Sequence, residues 1–199
     1  MRKIERENSG RMEAGQDLVV AGYAGLAGTW EILKAKRQEL LQWFSAEYLD
    51  MAEEEAAENQ ETEGREGLSF WEAFGAAECE PMGEGGILAA IWNLSGAYES
   101  GVEFALREIP IRQVTIEVCE RYELNPYRLF SAGCYLLAAE NGGQLVRRLQ
   151  EAQIPAGVVG KVNRGIAREM IKDGGRGFLE RPQKDELYKL FPKQEGNQS

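Results

Sequence analysis

The sequence predicts an α/β fold, a mixed sheet covered by helices (an α+β sandwich). Three observations lead there. Short β-branched or apolar runs recur along the chain, and between them apolar residues fall at helical spacing. The connections between these runs are short, as in layered sheet-and-helix domains. The 199 residues are 43% hydrophobic and 28% charged, which is enough apolar material for a core without disulfides or metals.

The elements follow in order. Residues 1–14 are polar and charged and read as a flexible N-terminal segment. Asp17 to Tyr23 reads as a strand running into a glycine-punctuated turn. Thr29 is the expected cap of a helix with the apolar stripe Ile32, Leu33, Leu40, Leu41 and Phe44. Ser45 opens a second helix that runs into an acidic stretch, expected as a mobile insertion at about 53–67. Leu68 to Ala77 reads as a short aromatic helix, with Trp71 and Phe74 in the core. Ile87 to Ser100 reads as a helix with Leu88, Ile91, Trp92, Ser95 and Tyr98 on one face. Val102 to Leu106 is a strand, and Pro110 sits at the expected first turn of the next helix.

A strand follows within Leu129 to Ala139, and Asn141 caps the helix from Gln144 to Ala152. Ala156 to Val162 is a strand, with Lys161 and Arg164 as its solvated end. Ile166 to Lys172 and Arg176 to Glu180 form a hairpin across Asp173-Gly174-Gly175. Asp185 to Leu190 is a last helical turn, and 191–199 read as a flexible tail. The folded domain is thus expected over 15–190.

Composition excludes several chemistries. The chain contains no histidine, so neither Ser-His-Asp nor Cys-His catalysis can be assembled within it. Its three cysteines, Cys79, Cys119 and Cys134, are widely spaced and form no zinc pattern. They are expected as reduced thiols in a cytoplasmic protein. No signal-like or membrane-spanning apolar run is present. Of the net charge of −10, the segment Glu47 to Glu66 carries −8, so the body is nearly neutral. Nonspecific binding to nucleic acid needs a basic footprint that this chain lacks. No catalytic and no metal-binding residue is assigned.

The most suggestive motif is Gly83-Glu84-Gly85-Gly86 leading straight into a helix at Ile87. Free amides and the helix dipole favour an anion there, and glycines let a backbone approach it closely. Glu80 and Glu84 flank the turn. Their expected roles are structural, with Glu84 favoured by the positive end of the helix.

The stretch from Gly83 to Trp92 resembles the glycine motif and helix of the C-terminal domain of the aminoimidazole ribonucleotide (AIR) synthase superfamily, nearest its hydrogenase-maturation branch. The resemblance continues through Ser100 to Phe104, Ile109-Pro110-Ile111 and Leu124 to Leu129. It also takes in Ser131-Ala132-Gly133, Ile154-Pro155-Ala156 and Val159 to Val162. Upstream it includes Gly15 to Val20 and Gly25 to Thr29.

This resemblance implies an α/β sandwich with partial ferredoxin-like topology. It also implies a cleft to which the glycine turn contributes, with Gly83, Glu84, Gly85, Gly86, Ile87, Ser131 and Gly133 as ligand-binding residues. Enzymes of the superfamily hold ATP and magnesium largely through an N-terminal domain that this chain is expected to lack. Pro81 and Glu80 stand where an Asp and often a His are usual, and Gly83 stands where a threonine is usual. The chain also ends in Ser199, without the reactive terminal cysteine of the hydrogenase-maturation enzymes.

The expectation is a noncatalytic module that binds a small anionic ligand or a partner and self-associates as a homodimer. The alternative is one half of a split ATP-dependent enzyme. ATP and magnesium would then enter only with an ATP-binding partner subunit.

Overall fold

The computed structural model describes residues 10–58, 65 and 67–192. Strand β1 (Asp17–Ala21) leads into helix α1 (Leu26–Leu40), followed by α2 (Ala46–Glu58) and α3 (Leu68–Glu72). Next come β2 (Glu78–Pro81), α4 (Gly86–Ala97), β3 (Gly101–Ala105), α5 (Gln113–Arg121) and β4 (Tyr135–Ala139). Helix α6 (Gly142–Glu151), β5 (Ala156–Asn163), β6 (Arg168–Lys172) and β7 (Gly175–Phe178) complete the regular elements. Short 3-10 turns at Pro126–Arg128 and Glu186–Lys189 matter to the site below.

Among the described residues seven strands form one mixed sheet in the order β2-β4-β1-β5-β3-β6-β7. All neighbours are antiparallel except the β3–β6 pair. The central strands are covered on both faces, which is why DLVVA and YLLAA are nearly continuous apolar runs. Leu18, Val20, Leu136 and Ala138 point to the side of α4, with Ile87, Ile91, Leu94 and Phe104. Val19, Leu137 and Ala139 point the other way, against Trp71, Leu145 and Leu149 from α3 and α6. Successive residues thus alternate faces, as the strand period of two requires. A third core joins α1, α2 and α5 through Ile32, Leu33, Leu49, Ala52 and Val118.

Several elements differ from the sequence expectations. Residues 10–14 are not a loose end: the Arg11 amide donates to the Ala77 carbonyl at 2.8 Å, and Met12 lies in the core. Thr29 does not cap α1. Gly25 holds that position at φ 77°, and the Thr29 hydroxyl lies inside the helix, donating to the Gly25 carbonyl at 2.9 Å. Pro110 does not open a helix, because α5 begins at Gln113. A strand not anticipated at all runs from Glu78 to Pro81 along the sheet edge.

The acidic stretch is helical through its first part, with Ala52 and Ala56 buried. Arg37 of α1 pairs there with Asp50 at 2.5 Å and Glu53 at 2.6 Å. Residues 53–58 therefore continue helix α2, while 59–64 and 66 of the expected mobile insertion and 193–199 of the expected tail lie outside the described residues. No described helix is long and apolar enough to cross a membrane.

Candidate functional site

The glycine turn joins β2 to α4, and its backbone needs two of its glycines. Gly85, the N-cap of α4, sits at φ 80°, and Gly86 at φ 59°, where glycine alone is unstrained. A Cβ at Gly86 would stand 2.7 Å from the carbonyl oxygens of both Leu129 and Tyr127. Gly83 has open space around it and needs no glycine on this ground. The Gly83 carbonyl accepts from the Gly86 amide at 3.1 Å and from the Ser131 amide at 3.2 Å, which ties the turn to the segment before β4.

The turn does attract an anion, and that anion is the chain's own. Asp185 is buried, and its Oδ2 accepts the Gly85 amide at 2.6 Å. Its Oδ1 accepts the amides of Leu187 at 2.8 Å and Phe130 at 3.2 Å. Burial raises its pKa above the ordinary aspartate value, and the nearby Glu84 carboxylate adds to that direction. The turn expected to hold an external anion is thus already capped by a carboxylate one hundred positions away in sequence.

The other expected ligand residues divide. Ile87 is fully buried in the core and faces no cleft. Ser131 is also fully buried, accepting the Gly25 amide at 2.8 Å and donating to the Leu129 carbonyl at 2.7 Å. Its hydroxyl is satisfied internally, so its role is to join the start of α1 to the start of α4. Gly133, at φ 81°, shapes the bend into β4. Glu80 is largely buried on the α4 side of the sheet, with Glu78 two residues before it on the same face. The Glu78 carboxylate accepts the Tyr98 hydroxyl and the Cys79 amide, a structural arrangement. Only Glu84 of the expected set is exposed to the adjoining space.

That space is a cleft of about 340 Å³ between α1, the glycine turn and the C-terminal 3-10 turn. Three carboxylates line it, those of Glu31, Glu84 and Asp185, with the rings of Phe130, Tyr188 and Phe191. Among the described residues, no lysine or arginine lines it. Sequence reading missed Glu31, Phe130 and Asp185 as site residues. Asp185 was visible only as the start of a helical turn, a role it does fill as the cap of Glu186–Lys189. Among the described residues, no group of three or more acidic or cysteine side chains gathers to hold a metal ion.

Sheet order and helix layers together define the class: an α/β domain, a mixed sheet with helices packed on both faces, with the fold shared by the proteins that follow. It is similar to HypE of E. coli, a hydrogenase maturation protein, with a TM-score of 0.65 at 17% identity over 88% of this chain and 52% of that one. It is similar to a HypE solved in complex with ATP, with a TM-score of 0.63 at 16% identity, covering 89% and 53%. It is also similar to thiamine-monophosphate kinase from Stenotrophomonas maltophilia K279a, with a TM-score of 0.62 at 14% identity, covering 81% and 51%. At these identities the likeness is one of fold, and the chain spans about half the length of the solved structures it matches. No family model matches the chain, and no curated protein matches it.

Proposed function

We propose that this chain is a noncatalytic binding module whose site is the cleft beside the glycine turn. The observation that carries the reading is the Asp185 carboxylate seated on the Gly85 amide. It occupies the donor that a phosphate would use, and Glu31 and Glu84 extend the same charge across the cleft. Such walls repel an anion and favour a group bringing positive charge and an apolar body, which the three rings would cover. Pro81, without an N–H and without a carboxylate, ends the strand before the turn and supplies neither acid nor base.

The test is thermal unfolding of the full chain with agmatine, inorganic phosphate or ATP with magnesium. A ligand at a hundred times its dissociation constant adds about 2.7 kcal/mol. Stabilisation by agmatine alone supports the reading, and stabilisation by phosphate or ATP overturns it.

A second reading, half of a split ATP-dependent enzyme, is favoured by the match to only half of proteins of which one was solved with ATP. It requires stabilisation by ATP that appears only after an ATP-binding subunit is added. Self-association belongs to either reading. Phe178, 69% exposed on the edge strand β7, and Val158 on the same sheet face give a second copy apolar surface to cover. Sedimentation equilibrium checks it: a monomer at all concentrations removes the homodimer.

A further inference from the structure

The helical layer of α1, α2 and α5 carries a second concavity that shares no lining residue with the cleft. Helix α2 turns Leu49, Ala52 and Ala56 toward that layer's core. Its opposite stripe is Glu47, Asp50, Met51 and Glu54, spaced i, i+3, i+4 and i+7, and all four are exposed. Met51 is 69% exposed. Beside it lies a groove of about 480 Å³, with Tyr23, Ala52, Ile111 and Val114 among its walls and Met51 on its rim.

The charges inside the groove are already matched. Arg112 pairs with Glu55 and stacks 5.0 Å from the centre of the Tyr23 ring. The Tyr48 hydroxyl donates to Glu117 at 2.5 Å. On the outer stripe Asp50 is compensated by Arg37, whereas Glu47 and Glu54 have no ion-pair partner among the described residues. They bracket Met51 four residues before and three residues after it. This helix opens the segment that carries −8 of the chain's −10.

We propose that this groove docks a basic amphipathic segment of a partner protein, with an apolar side chain seated against Met51 and lysines or arginines facing Glu47 and Glu54. Methionine suits the seat because its unbranched, polarisable side chain adapts to the shape presented. Charge complementarity selects the occupant: a second copy would set this acidic stripe against itself, and a nucleic acid would be repelled. Unpaired carboxylates on the outer stripe of α2 speed encounter and make it sensitive to salt, while the apolar seat sets residence time.

The probe is a dye-labelled synthetic helical peptide with lysines flanking a leucine pair, titrated onto the full chain by fluorescence anisotropy. Methyl NMR of the methionines is read in parallel. The expected result is saturable binding that weakens with salt and shifts the Met51 methyl signal. Met51→Ala weakens it about tenfold, a typical loss for one buried anchor, and E47Q/E54Q together weaken it about fivefold. All three substituted positions are exposed, so the fold is retained, which circular dichroism confirms. Binding unchanged in both variants overturns the proposal. So does an unshifted Met51 methyl at saturating peptide, an equal affinity for a lysine peptide lacking the leucines, or a signal that tracks dimer formation in sedimentation.

Discussion

The carboxylate of Asp185 accepts the amide of Gly85 at 2.6 Å across one hundred residues of sequence. The C-terminal 3-10 turn is thereby fastened to the start of α4. Replacing the acid by alanine strands the amides of Gly85, Phe130 and Leu187. Asp185→Ala is expected to cost about 2 kcal/mol, the scale of a lost buried acceptor. It should also let phosphate raise the variant's melting temperature while leaving the parent's unchanged. Urea unfolding and thermal scans with and without phosphate check both halves.

The same carboxyl gives a pH dependence of known sign. Burial outweighs its three N–H donors and raises its pKa from 3.8. The folded chain therefore holds that proton more tightly than the unfolded chain does. The resulting stabilisation is complete below the ordinary aspartate value and is lost as pH rises through the folded-state value. Asp185→Asn removes the titration. The stability gap between parent and variant should move in the parent's favour as pH falls from about 7 toward about 4. A gap that stays constant over that range counts against the assignment.

Gly83 and Gly86 are neighbours in one motif with opposite tolerances. Gly86→Ala puts a methyl 2.7 Å from two carbonyl oxygens at a φ of 59°, and should cost at least about 3 kcal/mol. Gly83→Ala meets nothing within 4 Å and should change stability by less than about 0.5 kcal/mol. Denaturant midpoints of the two variants give the comparison directly.

All three thiols should be silent in the folded chain. Cys79, Cys119 and Cys134 are buried, and burial pushes Cys119 up to about 12. The Cys134 thiol donates to the Tyr23 carbonyl at 3.2 Å. A thiol reagent at neutral pH should label none of them until denaturant is added, because the thiolate is the reactive form. Rapid labelling of any one in the native protein contradicts this burial.

What was legible in the sequence follows from local physics. Runs such as DLVVA and YLLAA announce doubly covered strands, and Asn141 caps α6 by accepting the Gln144 amide at 2.9 Å. The strand Glu78–Pro81 was hidden because acids and proline are poor strand formers. It is tolerated at the sheet edge, where Tyr98 satisfies Glu78. Thr29 resembles a cap by type, yet the left-handed turn demanded glycine at position 25 and drew the threonine inward. The glycine turn itself could be read. Its occupant could not, because a hydrogen bond between positions 85 and 185 leaves no trace in either neighbourhood.

The segment 126–131 touches both helix starts. Gly28 donates to the Phe130 carbonyl at 2.8 Å, Gly25 donates to Ser131, and the Ser131 amide holds Gly83. α1 and α4 therefore begin on a shared keystone rather than on separate hinges. A displacement of one helix terminus is therefore passed to the other through Ser131, which couples the start of α1 to the glycine turn.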